Sequence, residues 1–179
     1  MATVPKVKEA KKKRRPAAVE IDDATRAEYA KLVATASLAE VTLIAVNARI
    51  HYERLSGSPD ELQVRSPAPQ YMVMRDVAAG VVRCGTRFRA IVETPRAEPK
   101  DEDALIEITA EYFLTYEIPN LADVSDQIVR IFGRRNGVFN AWPFFRELAH
   151  SLVSKMSLPP MMLPLLKLPP LATVDRPRP

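Results

Sequence analysis

The stretch 105–118 constrains this chain more than any other. Ile106, Ile108, Ala110, Tyr112, Leu114, Tyr116 and Ile118 alternate with Glu107, Thr109, Glu111, Phe113, Thr115 and Glu117. A period of two over thirteen residues, 106–118, fits a strand with one buried and one open face, and no helix. Residues 81–93 repeat the pattern. Val82, Cys84, Thr86, Phe88, Ala90 and Val92 face one way, and Arg83, Arg87, Arg89 and Glu93 the other. Between them, 94–103 is charged and Pro-containing, which predicts an exposed hairpin loop. Antiparallel pairing of the two strands sets Arg87 and Arg89 near Glu107 and Glu111, a mildly favourable cross-strand arrangement.

The remaining segments extend the sheet and cover it. Asp22 or Asp23 is positioned to cap a helix running to about Ala36, with Tyr29, Leu32, Val33 and Ala36 as a narrow apolar stripe. In 39–54, Ile44, Val46, Ala48, Ile50 and Tyr52 alternate with Ala45, Asn47, Arg49, His51 and Glu53, predicting a strand with one buried and one wet face. Residues 55–70 hold Gly57, Pro59, Pro67 and Pro69 and read as a loop or irregular crossover. Tyr71–Arg75 is a short strand, and a turn near Ala79 and Gly80 follows. Around 122–132 the period becomes helical, with Val124, Ile128, Ile131 and Phe132 on one stripe, and Gly133 and Gly137 are expected to break it. Pro143 suits a helix's first turn. From there to about Ser157, Phe145, Leu148, Ala149, Leu152, Val153 and Met156 form a wide core stripe. The expected class is α+β: a four-stranded antiparallel sheet, a long C-terminal helix and a short N-terminal helix.

Charge is unevenly distributed. Residues 1–16 carry a net charge of +6, whereas 17–179 carry −2, so the overall +4 belongs to an arm. Residues 1–18 are expected to be a disordered basic arm, 19–171 the domain and 172–179 a flexible tail. The arm supports an alternative reading, a nucleic-acid- or partner-binding adaptor. No apolar stretch of signal-peptide length follows the basic start, and no run of about 20 apolar residues appears, so a cytoplasmic protein without membrane insertion is expected.

Nothing assembles a catalytic or metal site. Glu147 and His150 make a single E-x-x-H, where a di-metal site needs two such motifs. Cys84 sits on an apolar face away from His51 and reads as a core thiol. Asp101, Glu102 and Asp103 lack calcium-loop spacing, and no glycine-rich phosphate loop is present. Neither an enzyme nor a cofactor is expected.

Residues 158–171, LPPMMLPLLKLPPL, are very apolar, yet their prolines exclude helix and central strand. They must lie extended against something apolar. Within 133–168, Gly133, the run Trp142-Pro143-Phe144-Phe145-Arg146-Glu147, Pro159-Pro160 and Leu163-Pro164 resemble the corresponding stretch of the SecB family of export chaperones. The order of four strands before the helix fits as well. A helix before the first strand resembles the SecB-like chaperones of toxin–antitoxin systems.

The resemblance implies an ATP-independent chaperone that forms dimers or tetramers. It would hold unfolded preproteins, or a dedicated client such as an antitoxin, in long apolar grooves. Export members pass clients to the SecA motor through an acidic sheet face. Here that face is expected to carry mixed charge, and no second C-terminal helix is read before Pro179, so SecA is a partner on the resemblance alone. Tyr71, Met72, Met74, Trp142, Phe144, Met161, Met162 and Leu165 combine apolar area with adaptable shape and are the expected client contacts.

Overall fold

The computed structural model describes residues 19–54, 63–94, 101, 104–156, 163–168 and 171–173. The basic arm, 55–62 and most of 95–103 lie outside them, as do Met161 and Met162.

The alternating segments form an antiparallel sheet. Its long strands are β2 (Ser37–Ile50), β5 (Val81–Glu93) and β6 (Ile106–Glu117), with β6 between the other two. Short strands β3 (Gln63–Arg65) and β4 (Gln70–Asp76) share the far edge of β5. β4 pairs with 81–87 and β3 with 91–93. The crossover 66–69 bridges the gap between them, held where the Ser66 hydroxyl donates to the Arg89 carbonyl at 3.1 Å. The sheet thus has five strands among the described residues, not four. The fifth, β3, lies where the prolines of 55–70 suggested only loop.

β6 buries every second residue, as its alternation requires. Arg87 pairs across the strands with Glu111 at 3.4 Å, and Arg89 reaches Glu107 at 2.8 Å. Glu93 departs from the expected wet face. It is 1% exposed because β3 covers it, and Arg65 meets its carboxylate at 3.2 Å. Arg65 and Arg89 both also bind Asp101, which holds that carboxyl below its ordinary range, chiefly through the hydrogen bond from Arg65.

β2 departs further. Of the expected buried face, Ile44, Val46 and Tyr52 are exposed while Ala48 and Ile50 are half-buried, and Leu38 and Leu43 are exposed as well, so much of β2 is open in the single chain. The cause is position: β2 is the edge strand, and the helices pack over β5 and β6.

The helical layer is α1 (Asp23–Thr35), α2 (Asp126–Phe132) and α3 (Val138–Lys155). The Asp22 carboxylate caps α1 by accepting from the Thr25 amide at 2.7 Å, and Ser125 caps α2. The two glycines between α2 and α3 do not end the helix. Gly133–Gly137 forms one wide π-helical turn that joins them, and α3 begins five residues before Pro143. The requirement is tertiary. A Cβ at Gly133 would overlap the Val73 side chain, and one at Gly137 would lie 2.7 Å from Cβ of Cys84. Glycine lets the turn press onto β4 and β5. Gly133→Ala is therefore expected to destabilise the fold by about 1–3 kcal/mol by overpacking, although alanine favours helices. Chemical denaturation measures this; a neutral or stabilising result would show that the turn has room to move.

A polar net fixes the same turn. The Tyr29 hydroxyl donates to Asn136 Oδ1 at 2.6 Å, the Tyr116 hydroxyl to the Asn136 carbonyl at 3.2 Å, and the Asn140 amide to the Tyr116 oxygen at 2.9 Å. The core beneath contains Phe88 stacked on Phe145 with centroids 5.1 Å apart, together with Ile108, Leu114, Ile128 and Phe132. Each such side chain contributes about 1.5–3 kcal/mol when buried. Cys84 lies within this core, and burial pushes its thiol up to about 12. β1 (Val19–Ile21) pairs in parallel with β7 (Leu171–Thr173), which runs past the expected domain end at 171.

Candidate functional site: an apolar groove beside the π-helical turn

After α3 the chain doubles back along it. Two side chains one helical turn apart on α3 hold the returning segment 163–168. The Trp142 indole N–H donates to the Pro164 carbonyl and Arg146 Nε to the Leu163 carbonyl, both at 3.1 Å. Pro164 has a fixed φ and no donor of its own, while the carbonyls of Leu163 and Pro164 accept the two bonds. Leu163 is buried at the near end, and Leu165 is 73% exposed.

Between this segment, the Pro67–Pro69 crossover and the π-helical turn lies an open groove of about 390 Å³. Tyr71, Val138 and Trp142 line it together with Leu165, Leu166 and Leu168. Trp142 is only 5% exposed, edge-on to Phe88 at 5.4 Å, so the groove meets the margin of a core residue. Apart from the cations Arg134, Arg135 and Lys167, few directional groups line it. The indole N–H is already bonded, and Pro67, Pro69 and Pro164 carry no N–H at all.

The expected client contacts thus divide. Tyr71, Trp142 and Leu165 meet in the groove. Met72 and Met74 lie on the opposite face of the sheet, in register with Gly85 and Arg83. There Met72, Ile44 and Phe113 surround a second hollow of about 290 Å³. Phe144 does not line the groove and is exposed on α3, as is Phe139. Pro67, Pro69, Arg134, Leu166 and Lys167 line the groove and were not singled out from sequence. The one local signal for them was the Pro-rich character of 66–69 and 158–171.

A likeness to a solved structure decides what this arrangement is. The SecB-like chaperone Rv1957 of Mycobacterium tuberculosis, solved with a ChAD peptide from the Rv1956 HigA1 antitoxin, superposes with a TM-score of 0.66. The match covers 80% of this chain and 99% of that one, at 19% identity. The fold is SecB-like. A protein of unknown function from Streptococcus agalactiae aligns over 73% of this chain and 97% of its own, at 13% identity and a TM-score of 0.36, too low to add to the assignment. No family model matches the sequence. No curated protein matches it either. The SecB-like fold therefore rests on the three-dimensional likeness over 80% of the chain.

Among the described residues, no three His, Cys, Asp or Glu side chains converge to hold a metal ion. His51 meets Glu53 at 3.3 Å, while Cys84 is sealed beneath Gly137. No described helix is long and apolar enough to cross a membrane.

Proposed function

We propose that this chain is a SecB-like chaperone that binds unfolded or non-native polypeptide in the groove beside the π-helical turn. One observation carries the reading: the groove is open and lined mainly by apolar side chains and prolines, on a fold whose M. tuberculosis neighbour was solved with an antitoxin peptide. An unfolded client presents apolar side chains in no fixed order, so area and adaptability matter more than aimed hydrogen bonds. The client is either an unfolded preprotein or a dedicated partner such as an antitoxin, held in the cytoplasm without ATP. Of the expected contacts, Tyr71, Trp142 and Leu165 form the groove in this reading, and Met161 and Met162, outside the described residues, are kept as proposed client contacts. Met72, Met74 and Phe144 serve other surfaces. SecA is not favoured as a partner, because the open sheet face mixes Arg83 and Arg87 with Glu111.

The test is suppression of aggregation of a reduced, unfolded client by the full chain without nucleotide. Met161→Ser with Met162→Ser is expected to weaken holding several-fold with the fold intact by circular dichroism. Undiminished holding would remove those residues from the site.

In the same reading the chain is a homo-oligomer. β2 offers an outer edge of fourteen residues and exposed Leu38, Leu43 and Val46, a surface that natural proteins cover or pair. Val46→Glu is expected to lower the mass in native mass spectrometry to that of the single chain. An unchanged oligomer would place the interface elsewhere.

A further inference from the structure

Three cations line the groove, Arg134, Arg135 and Lys167, and among the described residues no carboxylate does. By contrast with Arg134 and Lys167, the sheet residues Arg65, Arg75, Arg87 and Arg89 each meet a carboxylate. Arg134 is exposed at the π-helical turn, and its guanidinium lies over the Tyr71 ring, 5.8 Å from the centroid. Lys167 is exposed on the returning segment, a different wall. Among the described residues neither forms an ion pair.

We infer that the groove selects polypeptide segments in which apolar and acidic side chains are interspersed, the carboxylates meeting Arg134 and Lys167. The inference deepens the chaperone reading and rests on it. Apolar side chains of the client cover Leu165, Leu166 and the open margin of Trp142, while carboxylates between them reach Arg134 and Lys167 on the two walls. Beside an apolar wall such charges are screened less than in open water, so they discriminate among clients of equal hydrophobicity. Nucleic acid fits less well although it is anionic. Single-strand binders offer open aromatic faces for base stacking. Here Trp142 is buried, and Arg134 stands over the ring of Tyr71, which leaves the groove one partly exposed aromatic ring.

The test uses the full chain and three labelled synthetic peptides with the same leucines and aromatics, separated by Asp, Asn or Lys. Fluorescence anisotropy at near-physiological salt is expected to rank them Asp, Asn, Lys, with Asp about tenfold tighter than Asn, or about 1.4 kcal/mol. Arg134→Gln with Lys167→Gln is expected to bring the Asp peptide close to the Asn peptide. Equal binding of the three peptides overturns the preference while leaving the chaperone reading standing. Absence of binding to any of them overturns both. A preference that survives the double substitution assigns it to the basic arm and overturns the site. So does displacement of the Asp peptide by single-stranded oligothymidine at matched concentration. Should the double variant fail to fold, the wild-type ranking and the oligonucleotide competition still decide.

Discussion

Trp142→Ala is expected to cost about 3–5 kcal/mol, the range for removing a large buried aromatic side chain. At this chain length that lowers the melting temperature by roughly 6–20 °C. The indole packs edge-on against Phe88 at 5.4 Å and beside Phe145 at 5.6 Å, so its loss opens a cavity under the groove. It also removes the donor that holds the Pro164 carbonyl. Trp142→Phe separates the two roles. It keeps a six-membered ring in the core and removes the N–H with part of the indole's bulk; loss of the N–H alone costs about 1–3 kcal/mol if the carbonyl stays buried and unpaired. Relief comes by release of the returning segment. Hydrogen exchange at Leu165–Lys167 is then expected to speed up in the Phe variant while α3 stays protected. If exchange there is unchanged, Arg146 alone holds the segment. Trp142 is the chain's one tryptophan, so its emission reports directly on the groove: it is expected to shift when a client seats against Leu165.

The parts of the fold legible in sequence are those where one strand or helix carries its own instruction. β6 lies between β2 and β5 with the helices on one face only, so its alternation maps onto burial residue by residue. β2 shows a similar alternation, but an edge strand's burial depends on what lies beyond it, and its own residues do not specify that. Gly133 and Gly137 were read by their local tendency to end helices. The contacts that require them, with Val73 and Cys84, lie about fifty residues or more away in the chain. The groove was legible only in composition. Trp142 and Leu165 stood out as large apolar side chains, yet nothing local reveals that one is core and the other open. Arg134, Lys167 and Pro67 belong to three separate segments, and only the returning chain, pinned by Trp142 and Arg146, brings them together.

Arg65→Ala is the second large effect, and it probes the residue whose environment the alternation misplaced. Glu93 continues the wet face of β5 in sequence, but β3 closes over it, leaving a carboxylate 1% exposed with Arg65 and Gln63 as its bonded neighbours. Removing one member of a buried ion pair costs about 3–5 kcal/mol, because the remaining charge has lost both its water and its partner. Arg65 is itself 30% exposed at its side chain, so the lower end of that range applies. The loss extends further, since Arg65 also binds Asp101 at 2.8 Å and so ties the connection before β6 to β3. Arg65→Ala is thus expected to loosen β3 and, through Ser66, the crossover wall of the groove. Arg65→Met with Glu93→Leu replaces the pair by apolar side chains and is expected to regain most of the stability but not the tie to Asp101. The paired variants therefore separate two contributions in one denaturation series. Recovery in the double variant assigns the cost to the unpaired buried charge. Failure to recover assigns it to the tether, and makes the Arg65–Asp101 contact what shapes the groove's outer wall.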